Sequence, residues 1–92
     1  MPIEWDEAKN RRNIRKHGID FADVKTMFNY PLLTLLDDRE DYGELRWIGI
    51  GPLQALIAVV VYTERDQDVL RIISARKATR SEVRHYEQAI EN

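Results

Sequence analysis

The chain has 92 residues, no cysteine and a formal net charge of −2. That length allows one domain, 1–92, with one core, and the missing cysteines exclude disulfides and thiolate metal sites and fit a cytoplasmic protein. The opening Met1-Pro2-Ile3-Glu4 lacks a basic n-region and an apolar h-region, so no secretory signal is expected, and the longest apolar run, Ala55 to Tyr62, is far too short to span a bilayer.

The charge is unevenly placed. Lys9, Arg11, Arg12, Arg15 and Lys16 crowd the N-terminal part, and Arg71, Arg76, Lys77, Arg80 and Arg84 crowd the C-terminal part. Acids gather between them at Asp37, Asp38, Glu40, Asp41 and Glu44. Such runs serve either as solvated faces or as contacts to phosphates or an acidic partner.

In chain order, Ile3-Glu4-Trp5 reads as a short edge strand. Asp6 suits an N-cap, with a helix to about His17 and Gly18 as the left-handed residue that ends it. This helix is very polar, with Lys9, Asn13 and Lys16 as one stripe. As a surface helix it would be held by Trp5 and Ile14. A second helix is predicted from Asp20, with Ile19 stapled to Val24 and Phe21, Val24 and Phe28 on one side, closing before Pro31. Leu32–Leu36, Leu45–Ile50, Ala55–Thr63 and Val69–Ala75 read as strands. Gly51-Pro52-Leu53-Gln54 and Glu64-Arg65-Asp66-Gln67-Asp68 read as turns between them. Thr79-Arg80-Ser81-Glu82 is a capping box opening a last helix to about Ile90, with Val83, Tyr86, Ala89 and Ile90 on one face. The expectation is α+β: two N-terminal helices, an antiparallel three- to four-stranded sheet and a C-terminal helix.

The residues that can carry chemistry are few. His17 is a candidate general base, since imidazole as a side-chain type titrates near neutrality; otherwise it is a residue at a helix C-terminus. Arg46 and Arg76, read on or at the end of strands, can hold a phosphate in a fixed fork, or else form salt bridges. Glu64 can act as a base but fits a turn, Glu82 is explained as a cap, and Tyr86 is explained as core. Metal-ligand spacing is absent around His17 and His85, and Gly49-Ile50-Gly51 is too short to cradle a dinucleotide. No metal and no cofactor are expected. RNA cleavage through the 2′-hydroxyl needs only positioned cationic and proton-transferring groups, which this composition can supply.

Two blocks carry a resemblance. Trp5-Asp6-Glu7-Ala8-Lys9 followed by Asn13-Ile14-Arg15-Lys16-His17-Gly18-Ile19-Asp20-Phe21 resembles the opening of BrnT-type toxins. Val61-Tyr62-Thr63-Glu64-Arg65, then Arg71-Ile72-Ile73-Ser74-Ala75-Arg76-Lys77-Ala78-Thr79-Arg80 and Glu82, resembles that family's second block. The resemblance implies a RelE-like fold and a ribonuclease that arrests translation. It also implies a cognate antitoxin with a ribbon-helix-helix region, through which alone the complex would meet operator DNA. The positions here that can build a RelE-like site are Arg76 first, then His17, Lys9, Arg46 and Tyr86, with Lys16, Lys77 and Arg80 as RNA contacts. The alternatives are a non-enzymatic partner-binding module and a catalytically dead toxin that only binds its antitoxin.

Overall fold

In the computed structural model, which describes residues 2–66 and 68–91, strand β1 (Ile3–Trp5) leads into helix α1 (Glu7–His17) and the single α-turn α2 (Phe21–Val24), which runs on as a 3-10 helix (Lys25–Asn29). Strands β2 (Leu33–Leu36), β3 (Trp47–Leu53), β4 (Leu56–Arg65) and β5 (Val69–Lys77) follow, and α3 (Arg80–Glu91) ends the described chain. The strands form one five-stranded sheet in the order β1-β5-β4-β3-β2. It is mixed, because β1 lies parallel to β5 while the other neighbours are antiparallel. The expected wholly antiparallel sheet of three to four strands is corrected on this point. The first strand cannot form a hairpin with β5, from which α1 and the rest of the meander separate it in sequence, and it enters beside it as a short parallel edge. No helix among the described residues is long and apolar enough to cross a membrane.

The caps read from sequence are present. Asp6 Oδ2 accepts from the Lys9 N–H at 3.3 Å, and Gly18, at φ 70°, donates to the Ile14 carbonyl at 2.8 Å. The φ value is one that side chains with a Cβ adopt at a cost. Asp20 accepts from Ala22 at 2.9 Å, and Ile19 and Val24 are buried in one core. Helix α3 begins in the capping box: Thr79 N–H donates to Glu82 Oε1 at 2.8 Å, and Glu82 N–H donates to Thr79 Oγ1 at 3.2 Å. Of its expected apolar face, Val83 and Tyr86 pack on the sheet, whereas Ala89 and Ile90 are exposed.

Other expectations move. The second helix is one α-turn continued in 3-10 form rather than a regular helix up to Pro31. Gly51, Pro52 and Leu53 are strand residues, and the β3–β4 turn is Gln54-Ala55, with Gln54 at φ 53°. Leu32 lies against Gly49 and Gly51; a Cβ at Gly51 would collide with its side chain and one at Gly49 would crowd it, so these glycines serve close packing on the sheet. Glu64 and Arg65 belong to β4; of the remaining polar turn, Gln67 lies outside the described residues. Arg46 precedes β3 rather than standing in a strand.

Two cores result, one on each face of the sheet. The larger joins Phe21, Val24 and Met27 to Ala58, Val60, Tyr62, Leu70, Ile72 and Ala75, with Trp5 edge-on to Phe21 and Phe28 edge-on to Tyr62. Burying each such large side chain contributes about 1.5–3 kcal/mol. The smaller joins Ile50 and Val59 to Ala78 and Tyr86 beneath α3.

Helix α1 is docked by hydrogen bonds, not by Ile14, which is exposed. Asn10 and Asn13 are its buried residues. Asn10 accepts from the Phe21 N–H at 2.8 Å and donates to Asp20 at 3.0 Å. Asn13 donates to the carbonyls of Ile19 (3.0 Å) and Ala75 (2.9 Å) and accepts from the Ala75 N–H at 3.1 Å. Strand β1 pairs only with Leu70–Ile72, so the Asn13 amide takes the place of a neighbouring strand at Ala75.

Candidate active site

The site begins with an irregularity in β5. Val61 is opposite Ser74 and Tyr62 is opposite Ile72, which leaves Ile73 as an extra residue. Ile72 and Ala75, three positions apart, therefore both face the core beneath α2, which strict alternation forbids. The bulge turns Ser74 and Arg76 onto the opposite, α3-bearing face. Without it, the one-residue shift would exchange the faces of everything beyond Ile73.

On that face α3 covers Ile50 and Val59 but leaves a cleft of about 270 Å³. Its floor is Ile48, Val59, Val61 and Ser74, and its polar wall is Arg39, Arg76 and Glu82. Arg76 is opposite Val59 in the β4–β5 pair. Its Nη1 and Nη2 donate to the two Glu82 oxygens, each at 2.8 Å, and Nη1 also reaches the Lys77 carbonyl at 3.3 Å. This bidentate fork fixes the guanidinium plane. The hydrogen bonds from Arg76, then those from Thr79, hold the Glu82 carboxyl at about 2, although partial burial opposes them. Glu82 in turn raises the Arg76 pKa against burial and against the nearby charge of Arg39.

Arg39 lies in the β2–β3 loop and is fixed in the same manner. Its Nε and Nη2 donate to the two oxygens of Asp37 at 2.7 and 2.8 Å, and its N–H reaches the same carboxylate at 3.3 Å. The Asp37 side chain is sealed from solvent while that of Arg39 is mostly exposed. The Arg39 hydrogen bond brings the Asp37 carboxyl down to about 2, overcoming its burial. Two arginines thus line one cleft, each held by its own carboxylate. A largely apolar floor beneath two ion-paired guanidiniums leaves their remaining N–H groups as donors for an anion that is partly desolvated as it binds.

The other expected site residues divide. Lys9, Lys16 and His17 line an adjoining groove of about 360 Å³ together with Arg12, Asn13, Ile73 and Ser74. Ser74 belongs to both hollows. Arg46 is elsewhere, stacked over the Tyr42 ring at 3.9 Å and paired with Glu44 at 3.3 Å. Tyr86 is buried with Ile50, Val59 and Ala78. Lys77 and Arg80 rim an apolar hollow with Ala78, Val83 and Arg84. Sequence pattern alone does not single out Arg39, and it explains Glu82 only as a cap. The signal for Arg39 was its position two residues after Asp37 in a stretch otherwise dominated by acids. Among the described residues no group of three or more His, Cys, Asp or Glu side chains could hold a metal ion.

These features define a small α+β protein with an arginine-lined cleft on one face of a mixed sheet. A family model described as the ribonuclease toxin BrnT of a type II toxin–antitoxin system matches residues 5–82. The 1.1 Å crystal structure of the Brucella abortus ribonuclease toxin BrnT is similar, with a TM-score of 0.65 and 31% identity, covering 87% of this chain and 99% of that one. Among curated proteins no match is found. The chain belongs to the BrnT family of ribonuclease toxins of type II toxin–antitoxin systems, which implies an antitoxin as its partner.

Proposed function

We propose that this chain is an endoribonuclease that cleaves RNA in the Arg39–Arg76 cleft by metal-independent acid–base chemistry and thereby inhibits translation. The observation that supports this most is the pair of carboxylate-anchored arginines over one apolar floor. The 2′-oxygen attacks the adjacent phosphorus, the P–O5′ bond breaks, and the products carry a 2′,3′-cyclic phosphate and a 5′-hydroxyl. Arg76 and Arg39 stabilise the charge that builds on the phosphorane oxygens. One group takes the 2′-hydroxyl proton and another protonates the departing 5′-oxygen. A carboxyl held at about 2 is a poor proton carrier at neutral pH, so Glu82 acts as a positioning residue. His17, which lines the adjoining groove, is the proton carrier in this reading.

The partner is an antitoxin with a ribbon-helix-helix region, and operator DNA is met only through it. Analysis of RNA ends tests the chemistry. Cyclic phosphate and 5′-hydroxyl termini agree with it, and 5′-phosphate termini contradict it.

A further inference from the structure

The groove beside the arginine cleft carries an uncompensated charge. Lys9, Arg12 and Lys16 fall three and four residues apart on α1, so they share one helix face. All three line the groove with Ser74. Among the described residues none of them forms an ion pair, whereas Arg39, Arg46, Arg71 and Arg76 each do. Three unpaired cations along one concave wall focus a positive potential there.

The wall is also rigidly tied to the cleft. Asn13, within the same helix face, grips both backbone groups of Ala75, the residue between Ser74 and Arg76. Strand β1 stops at the level of Ile72, so no strand covers the path past Ser74. The two hollows meet at Ser74. A chain with a phosphate at Arg76 can continue over the edge of β5 onto α1.

We propose that Lys9, Arg12 and Lys16 form a second phosphate subsite that holds the backbone of single-stranded RNA next to the bond being cut. This rests on the ribonuclease reading of the Arg76 cleft. A single strand is required because the path turns from a sheet face over its edge, and a duplex is stiff on that scale. In-line attack by a 2′-hydroxyl also needs a backbone freed from A-form geometry. The subsite binds phosphates and not base edges, so it contributes affinity without sequence preference.

The test is binding of a short single-stranded RNA whose 2′-hydroxyls are methylated, so that it cannot be cut, followed by fluorescence anisotropy over a range of salt concentrations. Each phosphate contact to a single strand contributes about 0.7 to the slope of log K against log salt. The variant Lys9→Ala/Arg12→Ala/Lys16→Ala is expected to lose about 2 from that slope. If the triple variant does not fold, Arg12→Ala alone is expected to lose about 0.7. Arg11→Ala/Arg15→Ala/Lys25→Ala removes the same charge outside the groove and is expected to lose less than half as much. Equal losses in the two triple variants overturn the subsite. So does an unchanged slope in the groove variant beside a reduced slope in Arg76→Ala, an outcome that leaves the ribonuclease site standing. A groove-specific loss in a protein that never cuts unmodified RNA retains the subsite and removes the ribonuclease reading.

Discussion

Glu82 receives both terminal nitrogens of Arg76 at 2.8 Å while closing the capping box with Thr79. One carboxylate therefore starts a helix and aims an arginine across the cleft. The first task is local and was legible in Thr79-Arg80-Ser81-Glu82. The second depends on β5 and α3 meeting, which no local pattern announces. Glu82→Ala is expected to lose both, lowering stability by about 1–2 kcal/mol in urea denaturation and lowering kcat because Arg76 loses its fixed plane. Glu82→Gln retains an acceptor for the Thr79 N–H, so it should recover most of the stability and little of the activity. Equal recovery of both would mean that the pair is only structural.

Asn13→Ala removes three hydrogen bonds at a buried position and leaves both backbone groups of Ala75 without that partner. A loss of about 2–4 kcal/mol is expected in urea denaturation, the range for breaking a buried network. A change within about 0.5 kcal/mol, as for an ordinary surface site, would contradict the docking role of the asparagine.

That residue also shows where the sequence was hard to read. Lys9, Asn13 and Lys16 form one polar stripe, and polarity along a helix normally means solvent. Asn13 is instead buried because its amide matches a backbone edge left open beyond β1. The caps at Asp6, Gly18, Asp20 and Thr79 were legible since each acts within four residues of chain. The parallel pairing of β1, the bulge at Ile73 and the meeting of Arg39 with Arg76 were not, because each is decided by contacts between segments distant in sequence. The sequence puts Arg76 at the end of the last strand, and β5 runs one residue further, to Lys77. Arg46 was misplaced on the same reasoning, as the strand begins one residue after it and Tyr42 and Glu44 hold its side chain in the loop.

Stability should fall in acid through two identified carboxylates. Glu82 and Asp37 are lowered from 4.5 and 3.8, respectively, to about 2 in the folded chain. The unfolded chain therefore binds protons first, and the stabilisation, complete above those ordinary values, is lost as pH falls towards 2. Glu82→Gln and Asp37→Asn should each flatten the decline of stability between about pH 4.5 and 2. A decline as steep as that of the parent would contradict the assignment.

Arg39→Lys keeps the charge but not the two-pronged contact with Asp37. It is expected to lose activity nearly as far as Arg39→Ala, on the order of 100-fold or more in kcat. Wild-type turnover in the lysine variant would show that charge alone suffices. His17→Gln should lower kcat at unchanged folded content. Parental turnover in the variant would take His17 out of the proton path.

The central claim is that Arg76 stabilises the transition state of RNA cleavage without a metal ion. The direct measurement is cleavage of RNA by the purified, antitoxin-free chain with a chelator present, beside Arg76→Ala matched for folded content. Cutting by the parent and a loss on the order of 100- to 1,000-fold in the variant are expected. Equal cutting by both, or none by the parent even with ribosomes added, would contradict it.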